Sequence, residues 1–189
     1  GTITTVSRMI DGVPDIQPGA FLLTKSGDWL VSSRNKVLLH KGGKFTTVAS
    51  VGTETGFRNF ITELFEDSRG TVWVSTQDAL YWFRNGNLQK VGREQGYTAK
   101  WASGFHEDPE GVMWFGAENA GIFRFKEVKF VNISPRQGLF DYVAYTVFED
   151  KAGYLWMSSN RGVFRASKKQ LNDVADGNAQ AVTCSVYGT

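Results

Sequence analysis

Three places in the sequence pair a glutamate with an aspartate: Glu66-Asp67, Glu107-Asp108 and Glu149-Asp150. Two carboxylates flanking one bond are the equipment of glycoside hydrolysis. Each pair is followed, six residues after its aspartate, by a tryptophan: Trp73, Trp114 and Trp156. An indole ring is a natural platform for a sugar or a flat cofactor. Other chemistry is thinly equipped. His40 and His106 are the only histidines, and Cys184 is the only cysteine. That excludes an internal disulfide and a cysteine-built metal cluster, and a histidine metal site would need carboxylate help. No metal and no cofactor is expected.

The spacing of these residues matters more than their chemistry. Glu-Asp-x-x-Gly-x-x-Trp occurs three times, with Gly70, Gly111 and Gly153 at its centre, and the tryptophans lie 41 and 42 residues apart. A fainter copy around Gly27 puts Leu30 in the tryptophan slot, 43 residues before Trp73, with Leu23-Thr24 in place of the acidic pair. Trp29 then sits one residue off the slot and should face the other side of its strand, since strand side chains alternate. Periods of 40–45 residues are the mark of propeller repeats. In such an array, equivalent carboxylates sit at equivalent turns and do not converge on one bond. Asp67, Asp108 and Asp150 therefore read as turn caps, and Trp73, Trp114 and Trp156 as wedges buried between blades.

The segments around each motif read as strands. Ile61–Glu66 alternates and is rich in β-formers; Asp67-Ser68-Arg69-Gly70 is turn chemistry; Val72–Thr76 and Leu80–Arg84 follow; Asn85-Gly86 is a tight-hairpin signal; Leu88–Val91 closes the unit. Four antiparallel strands every ~42 residues make a propeller blade. Small residues Ser32, Ser75, Gly116 and Ser158 come two positions after the slot, which suits blades packed face to face. The expected fold is all-β: a β-propeller fragment of about four four-stranded antiparallel blades, with one short helix near residues 168–176. The boundaries read as an outer strand over 2–7, then blades over 15–50, 58–92, 100–134 and 142–189, the last carrying the helix.

Composition agrees. Of 189 residues, 21 are Gly, 4 are Pro and 14% are aromatic, a profile that fits neither a disordered chain nor a coiled coil. No apolar run approaches the ~18 residues of a membrane span. The 21 basic and 19 acidic residues are scattered, leaving no stripe to track a phosphate backbone. Neither nucleic acid nor a membrane is expected as a partner of this segment. The chain begins at Gly1 rather than Met and reads as part of something longer.

A propeller gathers loops from every blade at one mouth. The second-to-third-strand loops would bring there Arg34, Asn35, Gln77, Asp78, Glu118, Asn119, Asn160 and Arg161. The connections between blades would add Arg58, Tyr97, Lys100, Trp101, Phe140, Asp141 and Tyr142. Amides, guanidinium groups and aromatic rings suit a polar small molecule or an oligosaccharide.

The motif at Glu66-Asp67-x-x-Gly70-x-x-Trp73, the stretch Gly153–Val163 and the lysine-led helix over 168–177 resemble the two-component regulator propeller repeats. Those repeats form sensor regions of bacterial hybrid histidine kinases and diguanylate cyclases. The resemblance implies a non-catalytic, periplasmic, ligand-sensing segment, with a membrane span and an output domain elsewhere. It implies no catalytic residues. Rings in that family are larger than four blades, so a homodimer completing a larger ring is an expectation. Two other readings remain open: a propeller glycosidase or lyase, and a protein-interaction scaffold.

Overall fold

The structure is a computed structural model and describes residues 9–10, 13–14, 18–52 and 60–188. The expected outer strand over 2–7 and Arg58 lie outside the described residues. A short ladder pairs β1 (Met9–Ile10) with β2 (Val13–Pro14). Four four-stranded sheets follow. The first holds β3 (Pro18–Leu23), β4 (Trp29–Ser33), β5 (Lys36–Lys41) and β6 (Lys44–Ser50). The second holds β7 (Ile61–Glu66), β8 (Val72–Thr76), β9 (Leu80–Arg84) and β10 (Asn87–Lys90). The third holds β11 (Ala102–Glu107), β12 (Met113–Ala117), β13 (Gly121–Lys126) and β14 (Lys129–Ile133). The fourth holds β15 (Thr146–Glu149), β16 (Tyr154–Ser159), β17 (Gly162–Ser167) and β18 (Cys184–Tyr187), with the helix α1 (Lys168–Ala175) between its last two strands. In every sheet the spatial order follows the chain order and all pairs are antiparallel. Among the described residues the fold is all-β, with four propeller-type blades and one α-helix.

Two compact units meet in sequence at Lys90 and Val91. In the first unit, Leu30 and Val37 of the first sheet share a core with Ile61, Leu64, Val72, Val74 and Tyr81 of the second. Leu30 is 4% exposed and its neighbour Trp29 45%; one step along a strand moves a side chain from core to solvent, as the alternation requires. In the second unit, Trp114, Ile122 and Ile133 of the third sheet pack with Val147, Leu155, Met157 and Phe164 of the fourth, and Leu171 of α1 joins them.

Two glycine positions carry this geometry. Gly70, Gly111 and Gly153 end the motif turns with φ of 76, 77 and 78°, a left-handed conformation that glycine adopts without strain. Gly116 serves packing: a β-carbon there would overlap the carbonyl oxygen of Ala144, so a bare backbone lets the fourth blade approach the third. In the first unit Ser32 is the corresponding small residue. Its Oγ accepts from Ala20 N at 2.7 Å.

Candidate functional site

The paired carboxylates are committed to structure. In each motif turn the aspartate folds back over its own chain. Asp67 Oδ1 accepts from the amides of Arg69 and Thr71 at 3.0 and 2.9 Å, and Oδ2 accepts from Trp73 Nε1 at 3.1 Å. Asp108 repeats this with Glu110, Val112 and Trp114 at 3.1, 2.9 and 3.1 Å. Asp150 repeats it with Ala152, Tyr154 and Trp156 at 2.9, 3.0 and 2.7 Å. In all three turns both carboxylate oxygens accept from the motif itself, two bonds at Oδ1 and one at Oδ2. The aspartate also fixes the tryptophan that follows it, a bond that the six-residue spacing makes possible and that motif reading by itself misses.

The tryptophans are not equally buried. Trp73 and Trp114 are 1% and 0% exposed. Trp156 departs from the expectation of a buried wedge: it is only half-buried, stacked between Phe148 at 6.2 Å and Tyr187 at 5.0 Å. The core of the second unit lies on the opposite face of its strand, at Leu155 and Met157.

The loops at one end of the second unit form the candidate site. The β12–β13 loop puts Asn119 in a left-handed conformation, with φ of 55°. The loop is tied on both sides: Glu118 N donates to Trp101 O at 3.0 Å, and Gly121 N donates to Tyr142 O at 2.6 Å. Two clefts open from it. The larger, of about 470 Å³, is lined by Lys100, Glu118, Asn119 and Tyr142, together with Asn132, Arg136 and Gln137. The smaller, of about 140 Å³, lies between the third and fourth sheets and is lined by Trp101, Glu118, Asn119, Tyr145 and Asn160. The Trp101 and Tyr145 rings flank it with centroids 6.4 Å apart. Tyr145 Oη donates to Asn160 Oδ1 at 3.0 Å, which leaves the Asn160 amide nitrogen to donate to a ligand. Glu118 and Asn119 belong to both clefts, so one extended ligand can use both.

Of the residues the sequence pattern gathers at one mouth, Lys100, Trp101, Glu118, Asn119, Tyr142 and Asn160 line these two clefts. Phe140, Asp141 and Arg161 stand beside them in other roles. Arg161 lies over the Phe140 ring at 4.4 Å and donates to the Phe140 carbonyl at 3.2 Å, and Asp141 Oδ1 accepts from Val143 N at 3.3 Å. Tyr97 is a correction. Its ring is 3% exposed and packs against Phe123 and Phe130 at 5.0 and 5.5 Å. Its hydroxyl donates to the Lys100 carbonyl, and burial pushes its pKa above the ordinary phenol range. It is a core residue, not a ligand contact. Arg34, Asn35, Gln77 and Asp78 belong to the first unit and line neither cleft; the Asn35 amide is occupied, donating to Val51 O at 2.9 Å.

Arg136 and Gln137 escaped the sequence reading. They sit in a 3-10 turn, Pro135–Gln137, in which Gln137 Oε1 accepts from Ser134 N at 3.0 Å. The same device follows β10 in the chain, where Gln95 Oε1 accepts from Gly92 N at 2.8 Å. The repeated Gln-Gly at 95–96 and 137–138, one repeat period apart, is the signal that could have found them.

Among the described residues no group of three or more histidine, cysteine or acidic side chains could hold a metal, and no helix is long and apolar enough to cross a membrane.

Residues 55–78 match the two-component regulator propeller family, so the first unit carries a repeat of that family. No curated protein matches the sequence. Among solved structures, the chain is similar to the extracellular domains of two hybrid two-component systems from B. thetaiotaomicron. One is 18% identical with a TM-score of 0.65, covering 81% of this chain and 22% of that one. The other is 17% identical with a TM-score of 0.65, covering 91% and 25%. It is also similar to virginiamycin B lyase from Staphylococcus aureus, at 16% identity and a TM-score of 0.69, covering 96% and 59%. One solved form of that lyase is catalytically inactive through replacement of a histidine by alanine. The chain spans about a quarter or less of the sensor ectodomains and under two thirds of the lyase.

Proposed function

We propose that this chain is a non-catalytic ligand-sensing propeller segment of a bacterial signal-transduction receptor, exposed to the periplasm, whose output domain is a kinase or a cyclase. The observation that carries the binding part is the paired cleft around Glu118 and Asn119. Aromatic rings, amides, Lys100 and Arg136 line the two clefts together, the mixture that holds a polar ligand such as an oligosaccharide. The repeat match at residues 55–78 supports the receptor part.

The enzyme reading draws on the likeness to the lyase. Against it stands the chemistry of the clefts. Neither is lined by a histidine or by two carboxylates, and the aspartates of the repeated motif are held in their turns.

Thermal unfolding against a panel of neutral and charged oligosaccharides tests the proposal. A ligand at 100 times its Kd should add ~2.7 kcal/mol to stability. Tyr145→Ala and Asn119→Ala should remove that gain. Turnover of any glycan or lactone by the purified chain would overturn it in favour of an enzyme, and stabilisation that survives both variants would place the ligand elsewhere.

A further inference from the structure

Arg124 and Arg165 occupy the same place in successive repeats. Each lies directly across the strand ladder from a motif tryptophan, Trp114 with Arg124 and Trp156 with Arg165. Arg124 is buried, and α1 of the following blade holds it: Nη1 donates to Asn172 Oδ1 at 2.8 Å and Nη2 to Asp176 Oδ1 at 2.5 Å. Lys168, at the start of the same helix, donates to Glu110 at 2.8 Å beside the motif turn of the third blade. Positions 168 and 172 of α1 and its C-terminal capping residue Asp176 are spaced four apart along one edge, so a single insertion supplies these contacts.

Arg165 has the same setting without the helix. Its guanidinium lies over the rings of Tyr154 and Trp156 at 4.3 and 5.1 Å, and the nearest carboxylate, Asp150, is 3.8 Å away. Phe148 and Tyr187 on the same face are 51% and 43% exposed. The other two repeats supply the contrast. Across from Leu30 stands Leu39, and across from Trp73 stands Trp82. The repeats that follow these in sequence join their third and fourth strands by two-residue turns, at 85–86 and 127–128. Within this chain, then, an apolar residue across from the slot goes with a short turn in the next repeat, and arginine goes with a helix.

We infer that the Trp156–Arg165 face is a docking surface for a further, helix-bearing blade outside these 189 residues, one that presents a carboxylate or amide to Arg165. The first blade of a second copy is a poor occupant. Its corresponding connection is Lys41-Gly42-Gly43-Lys44, which offers two cations and no helix, and an arginine covered without an acceptor is destabilising. The inference does not depend on the ligand-binding reading.

Two chimeras test it. Ile133 and Tyr187 occupy equivalent ladder positions, opposite Ile122 and Val163. Residues 134–188 (with the helix) or 92–133 (without it) are appended after Tyr187, and hydroxyl-radical footprinting reads Trp156. With the helix-bearing copy, Trp156 should fall to the reactivity of Trp114, and Arg165→Leu should undo this. Equal protection by the helix-free copy would overturn the inference. So would protection of Trp156 in the unextended chain when it dimerises. A second measurement does not need the chimeras to fold. With 168–183 replaced by Asn-Gly in the native chain, Arg124→Leu should raise the melting temperature; a fall would break the pairing rule.

Discussion

The third and fourth sheets carry the same motif and end in different environments. Trp114 and Trp156 are held by the same aspartate bond, at 3.1 and 2.7 Å, and Gly116 and Ser158 follow each by two residues. Trp114 faces the Leu155 and Met157 side of the next blade and is fully buried. Trp156 faces Phe148 and Tyr187 and is half-buried. The motif therefore sets the turn and aims the ring. Whether that ring is core or surface is decided by what lies over the sheet, which is a property of the neighbouring blade.

The largest effect should come from the small residues. Gly116→Val drives a side chain into the backbone at Ala144, where no rotamer can relieve the overlap. It should lose ~3 kcal/mol or more, the upper end for overpacking. Ser158→Val, on the Trp156 face, should stay within ~0.5 kcal/mol of the parent. Urea unfolding compares the two, and equal losses would erase the distinction between the faces.

The tryptophans come next. Trp114→Ala should cost ~3–5 kcal/mol, the range for deleting a large core aromatic. Trp156→Ala should cost roughly 2 kcal/mol, because part of its surface is in water already. Phe148 and Tyr187 should become more reactive to footprinting in the second variant only.

What the sequence tells and hides follows the same line. The turns, strand order and α1 are legible because each depends on neighbours within about ten residues. Asp, Gly and Trp recur at fixed offsets, and Asn85-Gly86 names its own hairpin. The half-exposure of Trp156 is not legible, since its motif is identical to that of Trp114. Nor is the burial of Tyr97. It lies in a connection between blades, where chain position suggests the mouth, yet its ring drops among Phe115, Phe123 and Phe130. The grip of α1 on Arg124 joins residues 48 and 52 positions apart, far beyond any local pattern. At the site, the loop residues Glu118, Asn119 and Asn160 are legible from strand register. Arg136 and Gln137 needed the repeated Gln-Gly to be seen.

The smallest expected effect concerns the Asp150 carboxylate. The indole hydrogen bond from Trp156 holds its pKa below the ordinary aspartate value, helped by the Tyr154 and Ala152 amides and the nearby Arg165. A carboxylate with a depressed folded pKa stabilises the protein in full above its unfolded pKa, ~3.9 for aspartate. That contribution shrinks as pH falls from there through the folded value. The stability difference between the parent and Asp150→Asn should therefore be flat from neutral pH down to about 4 and narrow below it. Carbon-detected NMR should place the Asp150 midpoint under the ordinary aspartate range. Trp156→Phe keeps a ring in the slot but removes the indole donor, and it should move that midpoint upward. If the midpoint stays put, the amides and Arg165 suffice to hold the carboxylate, and the indole bond serves to aim the ring rather than to charge the turn.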